Sequence, residues 1–388
     1  MPNARQPVLI ACDKFKGTLT AREVIEHIGA GLRDVVPGLE VRSVIVADGG
    51  DGTLDAALAA GFERRPVTCA GPTGEPVHTA YAVSGPPADG VALVEMADAC
   101  GLNRLPQGWP DALGASSRGL GQVIAAALDE GYRRVVVGVG GSASTDGGAG
   151  MLAALGARFL DADGVALPDG GGALTRLAAV DLSGLHPAVA HTSFTVACDV
   201  DNPLLGERGA AAIFGPQKGA GPEDVATLES ALTGLSDAVG QGSRRPMADR
   251  PGAGAAGGVG WAALEVLRAT MRPGIDLVLE LCGFARAAEG VGLVITGEGS
   301  LDSQTLLGKT PAGVANAART AGIPVVAVCG RALLDDAAVR RTGLARVYRL
   351  TDLEADPAVC MRDAGPLLRR LSARVAAQWL TGEQPGIH

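Results

Sequence analysis

The stretch Val8-Leu9-Ile10-Ala11-Cys12-Asp13-Lys14-Phe15-Lys16-Gly17-Thr18 runs from an apolar, partly β-branched segment into an acid, two lysines and a glycine. An apolar run of that length, closed by turn residues, predicts a buried strand. Thr20, followed three residues later by Glu23, predicts a capping box and a helix over the amphipathic residues up to Leu32. The same punctuation recurs at residues 41–47 before Asp48, 133–139 before Gly140, 193–198 before Asp199, 292–296 before Gly297 and 323–329 before Gly330. A second amphipathic stretch, Ser117 to Glu130, reads as another helix. Strands alternating with helices predict parallel pairing and the α/β class.

A chain of 388 residues exceeds what one hydrophobic core usually serves, so two α/β domains are expected. Residues 1–68 plus 285–388 are assigned to an open parallel sheet of the flavodoxin or Rossmann kind. Residues 69–284, with the extended patches TGEPVHTAYAV and ALVEMA, are assigned to a second, inserted α/β domain, and the active site is expected in the cleft between them. In open parallel sheets ligands sit beyond the carboxyl ends of strands, which is where this chain places Asp, Gly, Ser and Lys. The 57 glycines and 47% apolar content suit short strands joined by tight turns, not disorder. A net charge of -9 with scattered basic residues argues against nucleic-acid and membrane partners. Seven dispersed cysteines, without a CxxC or a Cys/His cluster, read as reduced thiols of a cytoplasmic protein. The polar turn after the first apolar run resembles neither a signal peptide nor an anchor. Composition between Gly240 and Gly260 suits a linker, or a lid over a phosphate site.

Several strand-end blocks carry chemistry. Asp13, Lys14 and Lys16 stand at a helix mouth and suit an anion, the alternative being a solvated turn. Asp48-Gly49-Gly50-Asp51-Gly52-Thr53 combines glycines, which let backbone approach a ligand, with two carboxylates that suit magnesium or a substrate hydroxyl; the N-H groups entering the helix at Leu54 are expected to face outward. In Gly140-Gly141-Ser142-Ala143-Ser144-Thr145-Asp146-Gly147-Gly148, hydroxyls and backbone N-H groups suit a cradle for phosphate or carboxylate oxygens. Asp199, with Asn202 beyond it, is placed to accept a proton from an attacking hydroxyl, although an Asx turn before Pro203 would look the same. Glu298, Ser300 and Asp302 are metal or phosphate candidates, with Lys309 as a charge neutraliser. The Gly308-Lys309-Thr310 ending is not a P-loop, because Ser303 stands where that motif needs glycine.

Taken in order, DKFKGT (13–18), ADGGDGT (47–53), GGSASTDGGAG (140–150), ACDVDNPL (197–204), FGPQKGA (214–220), PGAGAAGGVG (251–260) and TGEGSLDSQTLLGKTP (296–311) resemble the bacterial type 1 glycerate kinases nearly end to end. The resemblance implies ATP-dependent phosphorylation of D-glycerate, usually at the 2-hydroxyl, with ATP and Mg2+ as cofactors and a cleft site in a two-domain α/β fold. It implies Asp199 as the reactive aspartate, with Lys14 and Lys16 assigned to catalysis beside it. Asp13, Asp48, Asp51, Gly141, Ser142, Ser144, Thr145, Asp146, Asn202, Ser300 and Lys309 are assigned to substrate or phosphate, and Glu298 and Asp302 to metal. The expected partners are small molecules and, at most, a second copy of the chain in a homodimer.

Two rivals remain at this stage. Gly138-x-Gly140-x-x-Ala143, with Asp161 downstream, matches the dinucleotide fingerprint of an NAD(P)-dependent oxidoreductase. A non-catalytic sugar-acid binding protein would also explain two lobes. Neither histidine spacing nor a G-x-S-x-G elbow supports zinc or serine hydrolysis.

Overall fold

The computed structural model describes residues 6–106, 109–240, 247–302 and 310–382. The chain divides into two compact units: residues 1–48, 55–60 and 275–388 form the first, and residues 49–54 and 61–274 the second.

The first unit is built on five parallel strands in the order Arg346–Arg349, Val325–Ala332, Leu293–Leu301, Val8–Cys12, Val41–Ile45. From Val8–Cys12 the chain first winds to one side and later resumes on the other, so a topological switch point lies between Val8–Cys12 and Leu293–Leu301. All residues of Val8–Cys12 are buried, and the period of two sorts them onto opposite faces. Val8, Ile10 and Cys12 pack with Val24, Ile28 and Leu32, and with Leu368 and Leu371 of the helix Ala364–Trp379. Leu9 and Ala11 pack with Ala56, Ile275 and Val314. The helix Ala21–Val35 begins with the predicted capping box: Glu23 N-H donates to the Thr20 hydroxyl at 3.3 Å, and Thr20 N-H donates to the Glu23 carboxylate at 2.8 Å.

The second unit holds a six-stranded sheet in the order Thr270–Arg272, Ser193–Ala197, Arg134–Gly138, Val91–Glu95, Pro76–Ser84, Glu63–Ala70. The first four strands are parallel, and Pro76–Ser84 pairs antiparallel with both of its neighbours. Glu63–Ala70 pairs with Pro76–Ser84, so the residues from Gly61 onward go with the second sheet and not with the first unit as residues 1–68 were assigned. At the other end, Ile275 and Val278 of the helix Gly274–Leu281 join the core of the first unit, which therefore resumes earlier than residue 285.

All seven cysteines are unpaired thiols, five of them buried. Among the described residues, no helix is long and apolar enough to cross a membrane.

Candidate functional site

In the first unit the acids gather at the switch point. Cys12 lies opposite Gly297 in register, and Asp13 N-H donates to Gly297 O at 3.2 Å, which sets Asp13 beside Glu298. On the other flank Val46 N-H donates to Cys12 O at 3.2 Å, carrying the chain on to Asp48. Asp13, Lys14, Asp48 and Glu298 are all half-buried. Burial pushes the Asp13 carboxyl up to about 7. The backbone N-H of Lys14, 2.6 Å from its Oδ1, pulls the other way, while the charges of Asp48 and Glu298 add to the rise and that of Lys14 opposes it. Gly299 runs alongside the backbone at Phe15 and Lys16, where a Cβ would make only ordinary contact, 3.5 Å from Lys16 N. The Lys16 side chain itself is exposed. Ser300 accepts a hydrogen bond from Arg331 Nε at 3.3 Å, and Asp302 follows the strand, half-buried. Lys309 lies outside the described residues.

In the second unit Glu95, Gly138, Ala197 and Arg272 end the four parallel strands. Asp199 stands two residues beyond the tip at Ala197, exposed, with Oδ1 accepting the Gly274 N-H at 2.7 Å. Asn202 is half-buried, and its amide donates to Arg208 O at 2.8 Å and closes the loop that follows. The loop 49–54 lies against these tips. A Cβ on Gly49 would meet the Ala197 Cβ at 2.8 Å, and one on Gly140 would meet Gly50 Cα at 2.5 Å.

The helix entrance at Leu54 does not face outward to a ligand as the sequence predicts. Its N-H donates to Glu95 Oε2 at 2.7 Å and that of Gly52 to Oε1 at 3.2 Å. Sequence reasoning misses Glu95 within the patch ALVEMA, although it obeys the rule that finds the other acids, an acid ending an apolar run. Asp51, exposed, is near enough to raise the Glu95 carboxyl further, after burial has done most to push it up to about 7.

The glycine-rich loop 140–150 divides in character along its length. Gly141 is exposed with φ +72°, and its carbonyl accepts the Leu102 N-H at 2.9 Å. Ser142 is buried and forms a bridge to Gly101. Ser144, Thr145 and Asp146 are fully enclosed at 0% exposure, which holds them back from any ligand in this conformation. The Asp146 carboxylate accepts from Ser117 N and Oγ, both at 2.8 Å, from Gly148 N at 3.0 Å and from Gly150 N at 3.2 Å, so it organises the loop from within. Lys218, 1% exposed, donates to Ser144 O at 2.5 Å. Burial depresses its ammonium to about 7, against the pull of Asp146. The Ser144 and Thr145 hydroxyls are buried without hydrogen-bond partners.

Of residues 240–260, read from composition as a linker or lid, 241–246 lie outside the described residues and 251–260 are neither. Ala253, Ala255 and Val259 are buried, and Ala256, Gly257 and Gly258 adopt left-handed conformations that press the backbone onto residues 144–147. A Cβ on Gly257 would lie 2.1 Å from Ser144 O, which only glycine avoids.

The dinucleotide reading fails on the same kind of observation. A Cβ on Gly138 would meet Gly49 O at 2.7 Å, and Gly140 abuts Gly50, so these glycines admit the chain's own backbone and leave no pyrophosphate seat. Asp161, the candidate for a ribose, accepts the N-H groups of Asp163 and Val165 within its own turn at 3.0 and 2.9 Å.

Comparison with known proteins agrees with the strand-tip chemistry. The glycerate kinase family model matches residues 8–380. A Bacillus subtilis protein named Glycerate kinase is 42% identical over 95% of this chain and 97% of its own length. An Escherichia coli protein named Glycerate 2-kinase is 40% identical over 97% of this chain and 98% of its own. A crystal structure from Salmonella typhimurium LT2, whose description carries the words glycerate kinase 2, superposes with a TM-score of 0.83 at 39% identity, covering 97% of this chain and 99% of that one. This chain belongs to the glycerate kinase family.

Proposed function

We propose that this chain transfers the γ-phosphoryl group of ATP to the 2-hydroxyl of D-glycerate, giving 2-phosphoglycerate and ADP. The observation that carries the reading is the 40% identity, over 97% of the chain, to the E. coli protein named Glycerate 2-kinase.

Asp199 is the general base in this reading. It is exposed at a strand tip, and the Gly274 N-H fixes one of its oxygens, so the carboxylate is held in one orientation where a substrate reaches it. It takes the hydroxyl proton as the glycerate oxygen attacks phosphorus in line. The new O-P bond forms as the bond from phosphorus to the bridging oxygen breaks, and ADP leaves. Lys14, Lys16 and Lys309 offset the charge on the phosphate oxygens, because most of phosphoryl-transfer catalysis is positioning and charge stabilisation. Asp13, Asp48 and Asp51 serve glycerate and the phosphates from the strand tips, with Gly141, Ser142 and Ser300 as further polar contacts.

Among the described residues no group of three or more His, Cys, Asp or Glu is arranged to hold a metal ion. Magnesium bound with a nucleotide commonly takes only one or two carboxylates, the rest of its shell being phosphate oxygens and water. The oxygen donors at the first sheet's tips fit that demand in chemistry and charge, since the charge of Glu298 is felt at Asp13. Glu298 and Asp302 are assigned to hold it, and the ion would supply charge neutralisation on the phosphates. ATP as the phosphoryl donor and seven cysteines without a disulfide support a cytoplasmic location.

The test is to mix the pure protein with ATP, magnesium and D-glycerate, follow ADP, and add enolase. Glycerate-dependent ADP release, with a product that enolase consumes directly, is expected. No ADP above the glycerate-free control would overturn the reaction, and a product that enolase consumes only after a mutase is added would overturn the 2-position.

A further inference from the structure

Glu95 is 4% exposed at the end of the strand Val91–Glu95, opposite Gly138 in register. It is an expensive place for an acid. Asp51 and Asp98 both oppose its ionisation, on top of the cost of burial. What offsets this is the pair of backbone N-H groups of Gly52 and Leu54, one on each carboxylate oxygen. A helix entrance is ordinarily capped by the side chain of its own N-cap residue. Here the acceptor comes from 43 and 41 residues away in sequence, so the bonds tie the loop 49–54 to a strand tip.

The other end of that loop is held by shape. Gly49 and Gly50 fit against Ala197 and Gly140 so closely that no Cβ enters at Gly49 or Gly140 without displacing backbone or the Ala197 methyl. Asp51 lies between the two restraints, exposed.

We propose that Glu95 is a positioning residue for phosphoryl transfer: by accepting both N-H groups it fixes the loop 49–54, and with it Asp51, at the strand tips. The inference rests on the reaction proposed above. A merely structural cap would change stability and leave turnover per folded molecule alone. A positioning clamp lowers kcat, because misplacing a substrate-contacting loop by about an ångström costs on the order of 10²-fold.

The full chain is compared with Glu95→Gln, which keeps the shape and one acceptor oxygen, and with Glu95→Ala. Each is assayed for kcat, for KM toward ATP and D-glycerate, for thermal midpoint, and for amide exchange in a peptide spanning 49–54. In Glu95→Ala, kcat falls about 10²-fold with KM values little changed, as for an interaction realised in the transition state. Glu95→Gln falls between it and the wild type, and exchange at 49–54 accelerates in both. Wild-type kcat in the variants overturns the proposal even if exchange accelerates, and so does unchanged exchange. Should Glu95→Ala not fold, Glu95→Gln decides alone. Absence of glycerate-dependent turnover in the wild type would sink the reaction assigned to the chain, while the exchange measurement would still judge the clamp.

Discussion

The tip of the strand Val8–Cys12 and the loop 140–150 start from the same kind of sequence, an apolar strand running into glycines, acids and hydroxyls. Around Asp13 the side chains remain half-buried and like charges crowd one another. Around Asp146 everything is enclosed: the carboxylate accepts four hydrogen bonds, and a buried lysine reaches the same loop. The difference teaches that a strand-end acid becomes a reagent or a scaffold according to what the rest of the chain brings over it. Crowded, accessible carboxylates are poised to exchange protons or bind cations, whereas a saturated one holds a loop in shape.

The comparison is broken or sharpened by substitutions on either side of it. The largest effect is expected at an accessible tip. Asp199→Asn should lower kcat by about 10² to 10⁴, with the thermal midpoint unchanged, because the amide oxygen still accepts from Gly274. Full turnover would remove Asp199 from the reaction. On the enclosed side, Asp146→Ala strands the buried Lys218 and the donors of Ser117, Gly148 and Gly150, so denaturant unfolding should show a loss of about 3–5 kcal/mol. A stable Asp146→Ala variant that has lost only turnover would move Asp146 to the reactive class.

A smaller effect is expected in pH dependence. Burial lowers the Lys218 ammonium from 10.5 to about 7. Between those values the unfolded chain therefore holds a proton that the folded chain releases, so this group's contribution to stability rises as pH increases from 7 toward 10.5. Lys218→Met should lack that rise, which thermal midpoints of both proteins at about pH 7 and pH 9 will show; parallel curves would refute it. The smallest effect is expected where neither kind of tip is touched. Thr20→Ala removes a cap and should cost about 1 kcal/mol with kcat unchanged.

Much of this was legible in the sequence. The six apolar runs that end on Asp or Gly are strands, and two of them meet at the switch point, because a buried parallel strand needs both faces apolar and a turn at its end. The capping box at Thr20 was legible for an equally local reason. The fate of Ser144, Thr145 and Asp146 was not, since Lys218 and Gly257, which enclose them, lie far along the chain. The segment 251–260 misled in the same way: glycine serves a flexible linker and a tight backbone contact equally well, and composition does not separate them. Glu95 escapes notice because its acid ends a patch that continues directly into a short helix, Met96–Cys100, with no turn residue between strand and helix.

The discontinuous first unit carries a consequence for synthesis. Cys12 donates to Ile295 O across the central strand pair, and the two residues are 283 positions apart. At translation rates of about 5–20 residues per second, the strand Val8–Cys12 waits roughly 15 to 60 s for its inner neighbour. During that interval one of the most apolar segments of the protein has only one strand neighbour, Val41–Ile45, and the helix Ala21–Val35 on one face, while the second sheet, from Glu63 to Arg272, is completed first. Chaperone supply and growth temperature should therefore govern the yield of intact protein more strongly than the stability of the finished fold does.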